Sequence, residues 1–512
     1  MVFAALGAAA FASHVHNGGF YNDDWSFASV SHFHAESGVI GAIRAFDWLT
    51  FRPLAMAYWA FTHGAFGTHV SLHLAWIVVM AVAMSTALYV VLRELGLSIA
   101  HAAPIAALVL VFPASSANRF FAATSIALPA TALFLVGAVL ALRHVRTRGA
   151  RAIAWHVGAV AFYVASVMLY EIAAGAILAI GAVYVWRAGR CAWRSAAWRW
   201  ALDIAVVGTV LVTITSESWN EPQPFGTAVR HARETARQAG IVFIDAAVPF
   251  ASPSRTLVAA LFAALVATAI VVRFRLADDD DRRRALDHWL RVLGGGAVAV
   301  ALGYAIFLIA DWTYLPLRPG QFNRVNGLAA VGFAILLYAL AMLVGLLVGF
   351  RFRRWREYST AVAVALCLVV GIDWTLQINR DARDWATASD VQRHIVDVVV
   401  QTVPNRTPGT TLYTLSAPIE VAPGVPTFAA PWDLSGALQL EWDDPSVTAY
   451  PGIPGTWLDC RAGSVSAQNG NDVYDPQDGQ YGSSVVVDIE NARAYWIVDR
   501  ASCRRAASLF TS

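Results

Sequence analysis

The chain has 512 residues, of which 57% are apolar and 14% charged, with a formal net charge of +2. Soluble globular chains carry about 25% charged residues, so an ordinary water-soluble fold is excluded and a membrane protein is indicated. The balanced charge points to no nucleic-acid partner, and leaves only the placement of charge as informative.

Apolar runs lie near 1–16, 69–92, 102–117, 121–142, 153–169, 172–186, 200–215, 254–273, 292–311, 326–350 and 358–374. They predict about eleven crossings, most of them near the roughly 20 residues that a bilayer helix needs. The first run is short and lacks a basic leader, so no cleavable signal is expected. No lysine occurs, so arginine carries the basic charge; this reflects a high-GC bacterial composition and says nothing of mechanism. Arginines cluster at 143–151, 187–199, 273–291 and 351–356, always on the same side of the count. The positive-inside rule makes that side, and residue 1, cytoplasmic. Residues 17–68, 113–120, 216–253, 312–325 and everything after 375 then lie outside.

The outer loops are rich in aromatic residues. Ser37 to Asp47, Leu54 to Phe66, and the stretch 216–253 with Arg230, Arg233 and Arg237 read as helices lying at the membrane interface. On the inner side, the run Asp278 to Arg284 reads as a solvated loop. After Trp374 the composition shifts to Gly, Pro, Asp, Asn and Thr, with turn signals at Pro408-Gly409, Pro423-Gly424 and Asn469-Gly470. Residues 380–403 have helical periodicity, and 411–415, 484–489 and 494–498 read as strands. The fold class is therefore an α-helical polytopic membrane domain, 1–374, followed by a small α+β extracytoplasmic domain, 375–512. Cys191 and Cys367 read as inert buried thiols. Cys460 and Cys503 share the exported domain, where a disulfide between them is expected.

Acids and arginines from separate segments gather at the outer membrane level. They are Asp23 and Asp24 in Gly18 to Trp25, Arg52 in Phe51-Arg52-Pro53-Leu54, Asn118-Arg119, Tyr170-Glu171, and Asn323-Arg324 in Gly320 to Asn326. Guanidinium groups suit phosphate through paired charge-assisted bonds. Carboxylates suit proton removal from a hydroxyl, or a metal ion. Each also has a plainer reading: loop carboxylates for the aspartates, headgroup anchors for the arginines, and a helix-start acid for Glu171.

The order Asn22-Asp23-Asp24-Trp25, Phe51-Arg52-Pro53-Leu54 with Tyr58, Phe66-Gly67 with His73-Leu74, Phe112-Pro113 with Asn118-Arg119, and Leu169-Tyr170-Glu171 resembles the GT-C superfamily of polyprenyl-phosphate-dependent glycosyltransferases. It is most similar to the bacterial members related to protein O-mannosyltransferases. The likeness in order and spacing covers about residues 1–175. Phe112-Pro113 and Ala117-Asn118 stand where the family often has His-Pro and a downstream Glu, which sets 113–119 apart from its pattern.

The resemblance implies a bacterial cytoplasmic-membrane enzyme with an exported C-terminal domain. It implies a polyprenyl-phosphate-linked sugar donor, membrane lipid around it, and a glycan or protein acceptor. Asp23 is then the general base of an inverting transfer, with Asp24 beside it. Arg52, Arg324 and Arg119 are the donor-phosphate ligands, and Glu171, Tyr170 and Asn323 further site members. No cofactor is definite. A divalent metal ion is the one candidate, and His14, His16, His32 and His34 are a weak ligand set because they pair two residues apart. Other classes consistent with the composition are a lipid-linked glycan flippase or transporter and a non-enzymatic envelope scaffold. Clustering of charge at the outer level, with no matching halves, disfavours a transporter.

Overall fold

The computed structural model describes residues 1–35, 38–217, 224–248, 250, 254–276, 279–308, 314–469 and 478–510. Ser37, Asp278, Gly470, part of the stretch 216–253, and the side chains of Arg187, Arg190 and Cys191 lie outside the described residues. The first part of the chain forms α1 (Val2–Asn17), α2 (Asp23–Phe33), α3 (Gly38–Arg44), α4 (Pro53–Phe66), α5 (Val70–Glu94), α6 (Ile99–Leu110), α7 (Ala117–Phe120), α8 (Ala127–Val145), α9 (Ala150–Leu169), α10 (Ala174–Ala179) and α11 (Gly181–Glu217). Next come α12 (Phe225–Ala247), α13 (Arg255–Arg275), α14 (Asp280–Tyr304), α15 (Ala329–Gly349) and α16 (Trp355–Thr402).

Among the described residues, eight helices are long and apolar enough to cross a membrane, lying within α5, α8, α9, α11, α13, α14, α15 and α16. The chain is a multi-pass membrane protein. The other three apolar runs, 1–16, 102–117 and 172–186, fall on shorter helices. The helix α1 has 16 residues, α6 has 12, and the third apolar stretch is Glu171–Tyr184. At 1.5 Å per residue α6 rises about 18 Å, against a hydrocarbon core of about 30 Å. Pro113 stops it, because the residue before a proline is driven out of the helical region. Trp200 Nε1 donates to the Leu178 carbonyl at 2.7 Å, tying 196–214 to 171–184.

A second correction concerns the acidic run. Asp279 to Arg284 is the start of α14 and not a loop. Asp279 caps it by accepting from the Arg282 backbone N–H at 3.1 Å. Asp280 and Asp281 occupy the first turn, where the helix dipole favours acids, and pair with Arg283 and Arg284 three residues on. Arg356, at the start of α16, also reaches Asp281 at 3.0 Å.

The helix α16 runs 48 residues without a break, so the apolar stretch 358–374 and the predicted helix 380–403 are one element. Pro404 ends it. Its last turns carry Ile395 and Val399 into a core with Leu412, Leu434, Val485 and Val487. That core belongs to a C-terminal α+β domain: β1 (Thr411–Leu415), β2 (Glu420–Ala422), β3 (Val425–Pro426), α17 (Pro431–Trp442), β4 (Thr448–Tyr450), β5 (Thr456–Cys460), β6 (Ser464–Asn469), β7 (Gly479–Gln480), β8 (Ser484–Asp488), β9 (Arg493–Ile497) and α18 (Arg500–Ser508). The main sheet has the order β4-β1-β8-β9, with β1 parallel to both neighbours and β9 antiparallel. Strands β1 and β8 are buried on both faces, by α16 and α17 on one side and by β5, β6 and α18 on the other, as their apolar runs require.

Cys460 in β5 and Cys503 in α18 are bonded, with Cα atoms 5.9 Å apart and a sequence separation of 43. A loop of that length stabilises by about 4 kcal/mol on the chain-entropy model. Reduction is therefore expected to lower the thermal midpoint of the C-terminal domain in differential scanning calorimetry. An unchanged midpoint would show that the bridge does not hold α18.

Candidate active site

Three segments far apart in sequence meet at Asn22-Asp23-Asp24. They are the loop after α1, the 3₁₀ turn Gly320–Asn326, and the start of α17. Tyr21 fixes the first by donating its hydroxyl to the Trp385 carbonyl on α16 at 2.7 Å. Asn22 then takes φ +45°, a conformation uncommon for a residue with a side chain. Its amide nitrogen donates to Gln321 Oε1 at 3.0 Å. The turn carrying Gln321 is docked on the C-terminal domain by two glycines in the left-handed region, Gly320 (φ +58°) and Gly424 (φ +71°). A Cβ on Gly320 would lie 2.0 Å from the Gly424 carbonyl oxygen, so only glycine permits this approach.

The two adjacent aspartates have different surroundings. Asp24 is buried, and its carboxylate accepts three backbone N–H groups: Tyr21 at 3.1 Å, Ala122 at 3.2 Å and Ala123 at 2.6 Å. Burial pushes its pKa up, and those three donors oppose the rise. Asp24 thus staples the 121–124 turn to α2 and has little capacity left for a ligand. Asp23 is partly exposed. Its Oδ1 accepts from the Trp432 indole at 2.8 Å, and among the described residues its Oδ2 makes no hydrogen bond. Desolvation raises its pKa above the ordinary aspartate value, while Arg324 and the indole N–H pull it down. A raised carboxylate with a free oxygen is suited to take a proton.

The arginines divide in the same way. Arg52 forms a two-pronged pair with Glu171, Nε to Oε2 at 2.8 Å and Nη2 to Oε1, and its guanidinium lies 4.9 Å from the Tyr170 ring centroid. Arg324 lies over the Tyr314 ring at 5.6 Å, and its buried Nε has no hydrogen-bond partner among the described residues. Desolvation opposes its charge, and the nearby Asp23 carboxylate helps to hold it. Tyr170 itself is pushed up to about 12 by burial and stays a neutral hydroxyl. The cluster therefore runs Asp23, Arg324, Tyr314, Tyr170, Arg52, Glu171. Within it the charge of Arg52 is balanced by Glu171, whereas Arg324 keeps a buried Nε–H without a partner among the described residues.

Two expected members do other work. Arg119, read above as a phosphate ligand, is buried and turned inward. It donates to the carbonyls of Val109 (2.6 Å), Phe112 (3.2 Å) and Ser115 (3.2 Å), and to Ser115 Oγ (3.0 Å), so it serves the exposed carbonyls where α6 ends. Asn323 clasps α7, accepting from Ala117 N at 3.0 Å and donating to Ser116 Oγ at 3.1 Å. Asn118 extends that clasp to the Arg324 carbonyl at 3.0 Å. Both residues position the turn that carries Arg324.

The histidines do not converge. His14 Nε2 is bonded to the Phe120 carbonyl, His32 to Asp443 and His34 to the Val30 carbonyl, while His16 is exposed. Among the described residues no group of three or more His, Cys, Asp or Glu is placed to hold a metal ion, so the side chains present do not fit the metal candidate. A cavity of about 360 Å³ lies beside the 320–326 turn, lined among others by Ser116, Arg318, Gln377, Asp381 and Asp384. Asp23, Arg52 and Arg324 do not line it. Gln321 and Tyr314 escaped sequence reading although they flank Arg324. Trp432 lay beyond it, since nothing local marks Pro431-Trp432-Asp433 as more than a helix start.

No protein-family model matches this chain, and no curated protein matches it. Among solved structures, the crystal structure of ArnT from Cupriavidus metallidurans bound to undecaprenyl phosphate aligns over 86% of this chain and 84% of that one, at 16% identity and a TM-score of 0.37.

Proposed function

We propose that this chain is an integral-membrane glycosyltransferase that moves a sugar from a polyprenyl-phosphate donor to an acceptor hydroxyl. The reaction takes place on the outer face of the cytoplasmic membrane, where the C-terminal domain also lies. The observation that carries the reading is the placement of a carboxylate with one free oxygen, Asp23, near Arg324, a guanidinium whose buried Nε has no hydrogen-bond partner among the described residues. The motif order Asn22-Asp23-Asp24-Trp25 to Tyr170-Glu171 supports the same assignment.

In the step we envisage, Asp23 Oδ2 takes the proton of the acceptor hydroxyl. That oxygen attacks the anomeric carbon from the face opposite the phosphate. The bond from the anomeric carbon to the phosphate oxygen breaks, and polyprenyl phosphate leaves with the bonding electrons. The configuration inverts. Arg324 stabilises the charge that grows on the phosphate, and Arg52, already balanced by Glu171, holds Tyr170 and the site wall. Asp24 keeps α2 and the 121–124 turn in register.

The test is direct. Purified protein is incubated with a panel of radiolabelled polyprenyl-phosphate sugars and envelope acceptors. Transfer of label with release of polyprenyl phosphate is expected for at least one pair. Absence of both transfer and release across the panel would overturn the reading.

A further inference from the structure

Trp432 is a large aromatic side chain left 45% exposed, beside the carboxylate just assigned as the base. Its indole N–H donates to Asp23 Oδ1 at 2.8 Å and to Asn22 Oδ1 at 3.1 Å, which fixes the plane of the ring. The helix beneath it is rigidly placed. Asp433 accepts from the backbone N–H groups of Ala429 (2.9 Å), Ala430 (3.2 Å) and Leu434 (2.6 Å), closing the start of α17. Gly436 lies so close to α2 that a Cβ there would sit 2.6 Å from the Trp25 backbone. Ser29 Oγ donates to Gln439 Oε1 at 2.6 Å, and His32 meets Asp443 at 3.0 Å. So α17 is locked along α2, which holds the Trp432 backbone beside Asp23, and the two indole hydrogen bonds hold the ring there. A rigid indole with one edge bonded and a face left to solvent offers an apolar plane beside polar groups.

We propose that Trp432, with Asn22, Gln321 and Asp23, forms the acceptor subsite, and that the acceptor is a neutral saccharide whose ring stacks on the indole face. This rests on the transferase reading for the role of Asp23, and adds the class of acceptor. Hydroxyl-rich ligands need an apolar platform for their C–H face and amides or carboxylates for their edge, and these four side chains supply both. A peptide laid along the seam would need free backbone donors and acceptors. The Gln321 N–H is already taken, donating to the Gly424 carbonyl at 2.7 Å. An anionic acceptor would meet Asp23 first.

The experiment uses the full-length protein with two substitutions, Trp432→Ala and Trp432→Phe. Binding of fluorophore-labelled neutral pentose and hexose oligosaccharides is read by anisotropy, and transfer kinetics are read in parallel. Trp432→Ala is expected to weaken saccharide binding and raise the acceptor KM about tenfold, the size of one stacked aromatic contact, with a donor KM within about twofold of the wild type. Trp432→Phe keeps a ring face and is expected to recover most of the affinity. It loses the N–H to Asp23, so the acid limb of its kcat/KM profile should move to higher pH. A merely structural role would not separate the two variants in this way.

Saccharide binding by the wild type that is lost in Trp432→Ala supports the subsite even if no donor in the panel is used, in which case only the transferase reading fails. No saccharide binding by the wild type, equal loss of donor and acceptor affinity, or transfer to peptides alone would overturn the subsite while leaving the transferase reading in place. If Trp432→Ala does not fold, the Phe variant decides: an unmoved acid limb counts against the contact with Asp23.

Discussion

Asp23→Asn is expected to abolish transfer and leave the fold intact, whereas Asp24→Asn is expected to cost the fold first. At Asp23 the amide keeps the size of the side chain and can still accept from the Trp432 indole. It cannot take a proton, and loss of a general base lowers the rate by about 10²–10⁴. At Asp24 the amide replaces one of two oxygens that together hold three buried backbone N–H groups. An –NH₂ then faces donors, and each buried N–H left unpaired costs about 1–3 kcal/mol. Expression yield and thermal midpoint separate the two variants from each other. If Asp24→Asn were stable and inactive while Asp23→Asn kept its activity, the roles assigned here would be reversed. The wild-type pH profile carries a further sign. A base acts only when ionised, and burial holds the pKa of Asp23 above the ordinary aspartate value. Activity should therefore fail on acidification at a higher pH than an exposed aspartate would allow.

Arg324→Ala and Arg52→Ala are expected to fail for opposite reasons. Removing Arg324 takes away the cation that acts on Asp23 and, in the proposed step, on the leaving phosphate. The rate should fall by about 10²–10³, the usual loss for a preorganised charge-stabilising donor. The acid limb should also move to higher pH, because Arg324 lowers the pKa of Asp23. Removing Arg52 strands Glu171, whose side chain is only 16% exposed. Breaking a largely buried pair from one side costs about 3 kcal/mol or more, chiefly as an uncompensated charge. Unfolding should therefore shift before any kinetic effect is read. Adding Glu171→Gln to the Arg52→Ala chain removes that charge and should restore much of the stability. Failure of the second substitution to rescue would mean that Arg52 holds the site through something other than Glu171.

Much of the architecture was legible because it is local. Apolar runs mark helices and the stretches 411–415 and 484–489 mark β1 and β8, whereas the run read as 102–117 ends as a helix at Leu110, ahead of Pro113. The lengths of the short helices were less legible, since a run of apolar residues does not say where its backbone turns. At Asp279 to Arg284 alternating blocks of charge suggested a loop, but the same residues satisfy a helix start, the acids in the first turn and the arginines one turn later. In the site, type and position pointed to Asp23 and Arg324. Nothing local separated Asp23 from Asp24, because the difference lies in the backbone N–H groups of Ala122 and Ala123, about a hundred residues away. The pairing of Arg52 with Glu171 and the inward turn of Arg119 are likewise set by tertiary packing. An arginine near a membrane surface reads the same whether it faces a phosphate or the frayed end of a neighbouring helix.

The unbroken course of α16 fixes more than a connection. Its 48 residues make a rod of about 72 Å, more than twice the hydrocarbon thickness. The rod enters the C-terminal domain as part of its core, and on its way passes the loop that carries Tyr21. The domain is therefore keyed to the membrane bundle in height and in azimuth, like a blade on a shaft. Each residue gained or lost in the rod turns the blade by about 100° and moves it by 1.5 Å. The number of residues between Trp374 and Ile395 is therefore part of the site's geometry.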